Sequence, residues 1–122
     1  MKDFKREVKE FMLERDWLGQ PSSDIAKSII IEAAELLEHF QWINYSADDV
    51  LKNPQMRQEI IDELADVFIY ATEMAIQLDC DIAEIIHDKL VKAGKKYPVG
   101  VVNGKLGSVK YKEIKRAYRQ KK

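Results

Sequence analysis

Two runs of helical periodicity leave this chain few folds to choose from. One extends from Ser22 to about Trp42 and the other from Pro54 to Leu78. In the first, Ile25, Ile29, Ile30, Ala33, Leu36, Leu37 and Phe40 recur at the spacing of one helix face. In the second, Ile60, Leu64, Val67, Phe68, Ala71, Met74, Ala75 and Leu78 do the same. Three prolines and five glycines in 122 residues favour helices over strands and turns. Pro54 suits a first helical turn, where its missing N–H costs nothing, and Ser22, Ser23 or Asp24 can cap the earlier run.

The remaining segments follow the same pattern. Residues 2–16 predict a first helix, with Phe4, Val8, Phe11 and Met12 on one side, ending before Leu18-Gly19-Gln20-Pro21. Ile43 to Asn53 reads as a polar connector. Asp79 or Asp81 caps a further helix that carries Ile82, Ile85, Ile86, Leu90 and Val91 inward and ends near Lys96-Tyr97-Pro98. Gly100 to Gly107 reads as a loop or short extended piece, and Val109 to Arg119 as a last, basic helix. The expected fold class is all-α. Residues 1–99 form a bundle of about four helices, and residues 100–122 form a basic C-terminal extension of the same domain.

Composition narrows the class further. Hydrophobic content of 46% and charged content of 34% belong to an ordinary globular protein. No apolar run approaches a membrane span, and Met1-Lys-Asp-Phe-Lys-Arg-Glu is too charged for a signal peptide. A single cysteine, Cys80, allows no internal disulfide and suits a reducing compartment, so a cytoplasmic location is expected. Flanked by Asp79 and Asp81, Cys80 is in the wrong electrostatic setting for an activated nucleophile. No serine or cysteine triad is evident either.

The charges are unevenly distributed. From Ser28 to Leu51 there are five acids and no Lys or Arg; from Gln58 to Asp88 there are nine acids and again none. From Lys89 to the end there are twelve Lys/Arg and one acid, Glu113. Within the acidic stretches Glu32-x-x-Glu35 and Glu63-x-x-Asp66 each place two carboxylates on one helix face, where like charges repel. Two readings stand: a solvated acidic face, or a cleft whose positive charge comes from outside the chain. Ile31 and Trp42 share the acidic sector of the first run, which fits a cleft wall. If the two helices pack antiparallel, four carboxylates converge on a hard cation, Mg²⁺ or Mn²⁺, which commonly leaves positions for water and phosphate oxygens. Lys89, Lys92, Lys95 and Lys96 could reach such phosphates. Glu84-x-x-His87 has the form of a di-iron element, but the only other histidine, His39, lacks its Glu partner, so His87 is expected at the surface.

The text around these acids resembles a known family. Glu32-Ala-Ala-Glu-Leu-Leu-Glu-His-Phe-Gln-Trp42, Asp62-Glu-Leu-Ala-Asp-Val-Phe-Ile-Tyr70, Glu14-Arg-Asp-Trp17 and Lys96-Tyr-Pro-Val99 are similar to the all-α nucleoside triphosphate pyrophosphohydrolases of the MazG-like family, over roughly Phe11 to Val99. The resemblance implies Mg²⁺-dependent cleavage of an NTP or dNTP to the monophosphate and pyrophosphate, in the service of clearing unwanted nucleotides. It implies Glu32, Glu35, Glu63 and Asp66 as metal ligands and Glu38 as the group that orients or deprotonates water. By similarity to the dCTP pyrophosphatase branch, Trp17, Trp42 and Tyr70 flank the nucleoside; Lys92 and Lys96, from the charge pattern, and Tyr97 are expected as further substrate contacts. That branch carries Asn where this chain has Ala93; Asn103 or a tail lysine is the substitute to look for. A phosphoribosyl-ATP pyrophosphohydrolase or dUTPase-type relative would keep the chemistry and change the substrate. Wide apolar faces, and the habit of the family, imply a homodimer or homotetramer. The reading from another class is a metal-free bundle whose basic end binds nucleic acid or a protein.

Overall fold

The computed structural model describes residues 3–101 and 104–121, and of 104–107 only the backbone. Its described residues hold six helices and no strand: α1 (Phe4–Glu14), α2 (Ser22–Glu38), α3 (Ala47–Leu51), α4 (Pro54–Gln77), α5 (Ile82–Lys96) and α6 (Gly104–Gln120). The fold is all-α, as expected. The chain divides into two compact units, the first ending at Asp81 and the second beginning at Ile82. No helix among the described residues is long and apolar enough to cross a membrane.

In the first unit α2 and α4 pack along each other and α1 lies against α4. The Ser22 hydroxyl donates to Gln77 Oε1 at 2.7 Å, joining the start of α2 to the end of α4. Gln77 Nε2 in turn donates to the carbonyls of Leu18 (3.1 Å) and Gln20 (2.6 Å). One side chain thus ties the α1–α2 turn to α4. Further along, Glu32 and Glu35 meet Glu63 and Asp66, which makes the pair antiparallel. Ile25, Met12, Thr72, Glu73 and Ala75 are fully buried.

Helices α1 and α4 stop in the same way. After α1, Asp16 takes φ 55°, Asp16 N–H donates to Leu13 O and Trp17 N–H to Met12 O. After α4, Asp79 takes φ 51°, Asp79 N–H donates to Ile76 O and Cys80 N–H to Ala75 O. These are Schellman closures with Asp in the place glycine usually fills, a residue that tolerates the left-handed region because its short side chain is polar. Lys5 Nζ donates to Cys80 O at 3.1 Å and so anchors α1 beside the second closure.

Several expectations are corrected. Ser22, Ser23 and Asp24 do not cap α2: Pro21 holds the N-cap position without a side-chain bond, and the Ser22 hydroxyl is engaged with Gln77 instead. α2 stops at Glu38, not near Trp42, because Phe40 N–H turns back to Leu37 O in a tighter turn. The connector is partly helical: Ser46 and Asp49 form a capping box at the start of α3. The last helix begins at Gly104 rather than near Val109, inside the stretch read as loop. Pro54 does begin α4, and Asn53 Oδ1 accepts from Met56 N–H as its cap. The expected apolar stripes are only partly covered, since Ile30, Leu37, Leu64, Phe68 and Leu78 are exposed.

In the second unit Tyr97 stacks on Tyr111 with centroids 4.7 Å apart. Lys96 Nζ lies 4.0 Å from the Tyr118 ring centroid and 5.1 Å from that of Tyr97. Glu84 and His87 are exposed on α5.

Candidate metal centre

The antiparallel register of α2 and α4 brings the two acidic pairs together. One oxygen each from Glu32, Glu35, Glu63 and Asp66 lies within 4.8 Å of the others. None of the ion pairs among the described residues involves them: those pairs are Arg6–Glu10, Arg15–Glu14, Lys27–Asp24 and Lys110–Glu113. Oε2 of Glu32 and Oε2 of Glu63 are buried and have no hydrogen-bond partner. A buried carboxylate oxygen without a donor is costly unless a cation satisfies it.

The electrostatics express that cost. Glu32 is pushed up from 4.5 to about 7, first by burial, then by a hydrogen bond shared with Glu35 and the charges of Glu35, Asp66 and Glu63. Glu63 is raised by burial and by Glu35 and Asp66, with His39 pulling weakly the other way. Tyr70 is raised by burial and then by Glu32, Glu73, Asp66 and Glu35, which puts its phenol within the field of the cluster.

The donor set fits a hard divalent cation. It is all oxygen, the donor type that Mg²⁺ and Mn²⁺ take. The absence of Cys and His from the group argues against zinc.

The other expected site residues are placed less uniformly. Glu38 ends α2, exposed, outside the group of four. Tyr70 is half-buried on α4, one turn beyond Asp66. Trp42 is 86% exposed beyond the end of α2, and Ile31 is exposed as well. Trp17 follows the α1 closure, edge-on to Phe11 at 6.0 Å, with one face open. Lys92, Lys96 and Tyr97 belong to the second unit, where Lys92 is exposed and Lys96 and Tyr97 are engaged in the ring contacts described. Ala93 is half-buried on α5, and Asn103 lies outside the described residues.

One residue escaped the sequence reading. Glu73 is 0% exposed, and neither of its carboxylate oxygens has a partner. Burial raises its pKa. The available signal was its setting, Ala71-Thr-Glu-Met-Ala75, an acid among small and apolar residues in the middle of a helix.

An all-α unit with four converging carboxylates on two antiparallel helices defines a class: helical bundles with a carboxylate cluster able to hold a divalent cation. The sequence profile of the MazG-like family matches residues 27–119, so the chain belongs to that family and is a nucleotide pyrophosphohydrolase. Its match takes in the basic C-terminal segment. A dCTP pyrophosphatase 1 from Bos taurus is 28% identical over 117 residues, 93% of this chain and 68% of the relative. A pyrophosphatase crystal structure from Archaeoglobus fulgidus superposes with a TM-score of 0.69 at 34% identity, covering 79% of this chain and 90% of the other.

Proposed function

We propose that the chain hydrolyses an NTP or dNTP to the monophosphate and pyrophosphate with Mg²⁺, or Mn²⁺ in its place, held by Glu32, Glu35, Glu63 and Asp66. The observation that carries this reading is the group of four carboxylates with two orphaned oxygens. When bound, the ion supplies the positive charge that offsets the triphosphate and the charge growing on its phosphate oxygens. The chain's own residues divide the remaining work. Glu38, free of the cluster and open to solvent, orients the attacking water and takes its proton. Trp42 and Trp17 offer exposed ring faces to the base, and Tyr70 packs beside the cluster against the nucleoside. For Lys92, Lys96 and Tyr97, which belong to the second unit, the role of substrate contact rests on the charge pattern and the family resemblance.

The bovine relative makes dCTP the first substrate to try. The open apolar faces of α2 and α4 fit a homodimer or homotetramer, and nucleotide-pool cleansing in the cytoplasm fits the chemistry. The test is pyrophosphate release from a full NTP and dNTP panel with Mg²⁺. Glu35→Ala and Asp66→Ala should each lower turnover at least a hundredfold, on the scale of losing electrostatic stabilisation in a site of this kind. No metal-dependent turnover on any nucleotide would overturn the reading.

A further inference from the structure

Helix α6 presents a continuous cationic side. Lys112, Lys115, Arg116 and Arg119 stand at i, i+3, i+4 and i+7, the spacing of one helix face. With Gln120 they line a shallow groove of about 390 Å³. None of the four is in an ion pair among the described residues; the α6 pair joins Lys110 to Glu113 at 3.5 Å. Lys112, Arg116 and Arg119 are exposed and Lys115 is half-buried, its Nζ 5.7 Å from the Tyr111 ring centroid. At 1.5 Å of rise per residue, four like charges share about 10 Å of helix axis. That density is unfavourable in the free chain and calls for a polyanion.

The chemistry of the groove selects among polyanions. A bilayer would need a broad apolar face opposite the cations. The two rings of α6 are instead part-covered within its unit, Tyr111 by Tyr97 and Tyr118 by Lys96, and are 42% and 47% exposed. A protein partner would need an aliphatic or aromatic anchor at the centre of the interface, where lysine is depleted; no apolar side chain lines this groove. A surface of Lys, Arg and Gln matches what receives phosphodiester chains, which are bound through their backbone charges irrespective of sequence. Arg116 and Arg119 add planar guanidinium groups able to take two phosphate oxygens each.

We propose that this side of α6 is a sequence-independent docking surface for the phosphodiester backbone of a nucleic acid. It uses residues that have no part in the proposed hydrolysis. The experiment is fluorescence anisotropy of the full chain with labelled single-stranded and duplex oligonucleotides, titrated between about 50 and 200 mM salt. Four phosphate contacts predict a log–log salt slope of roughly −3 on a single strand and roughly −4 on a duplex. Binding to either form with such a slope supports the proposal, and the slope identifies the form.

The combined variant Lys112→Ala, Lys115→Ala, Arg116→Ala, Arg119→Ala should weaken binding at least tenfold and flatten the slope. Its pyrophosphate release and circular dichroism should stay at parental levels. Should that variant lose its helical signal, Lys112→Arg with Lys115→Arg replaces it: parental affinity supports the proposal and lost affinity overturns it. No binding at low salt, salt-independent binding, or equal binding by a folded four-fold variant would overturn it. So would tighter capture of anionic phospholipid vesicles or of an acidic peptide than of the oligonucleotides.

Discussion

Four carboxylates within 4.8 Å of one another, with no basic side chain among the described residues paired to them, hold Glu32 above its ordinary pKa. Its folded pKa, about 7 against 4.5, means the folded chain holds a proton that the unfolded chain has lost between those values. The sign follows: without metal, stability is greatest below about pH 4.5 as far as this group is concerned, and falls as pH rises towards 7. Thermal melts in EDTA from pH 5 to 8 should show that fall, and added Mg²⁺ should reverse it at the alkaline end. A flat profile would remove the electrostatic case for the site. Glu73 obeys the same sign through burial alone, with no neighbouring charge adding to it. Glu73→Met should raise stability at pH 7.5 by about 1–3 kcal/mol, read by urea unfolding, because it removes an unsatisfied buried group. The paired acids were legible from spacing, since i and i+3 on a helix share a face whatever the fold. Glu73 was not, because its burial depends on what α1 and α2 lay over it.

At the scale of elements, the packing of α2 on α4 rests on a few connections that can be cut singly. Gln77→Ala removes the three hydrogen bonds that join Ser22, Leu18 and Gln20 to the end of α4. It should cost about 1–3 kcal/mol, seen as a lower urea midpoint with an unchanged slope. The two Schellman closures point the other way. Asp79→Gly should raise stability by about 0.5–1 kcal/mol, by relieving the positive φ and removing an anion from a helix C-terminus. A melting temperature unchanged or lowered would show that the Asp79 side chain makes its own contribution. Helix existence and the Pro54 start of α4 were legible from local chemistry. The early end of α2 was not: no Gly or Pro marks Glu38, and the apolar period continues through Phe40. α3 carried a readable signal in Ser46-x-x-Asp49, a capping box in a segment otherwise polar enough to pass for a connector.

The molecule as a whole leaves more apolar surface open than a lone bundle of this size commonly does. Ile30 is 69% exposed, Leu37 64% and Phe68 56%, on the two helices that carry the acidic cluster, and Leu78, at the C-cap of α4, 63%. These were expected as core from their period, and open apolar faces of this kind are what a second copy of the chain would cover. Sedimentation equilibrium should therefore give two or four times the 14.2 kDa of one chain. Phe68→Glu should shift it towards the monomer and lower stability, as loss of a buried aromatic contact does. A monomer at all concentrations would leave those faces unexplained.

Sequence alone determined the fold class, the existence of the long helices, the Pro54 start of α4 and the identity of the four acids, because helical period, proline placement and i, i+3 spacing are properties of the chain itself. Tertiary structure decided that the acids converge, since only the antiparallel register of α2 on α4 brings Glu32 and Glu35 to Glu63 and Asp66. It also decided which side chains are buried, where α2 stops and that Gln77 ties the unit together. Those outcomes depend on contacts between residues far apart in the chain, whose energies no local pattern contains.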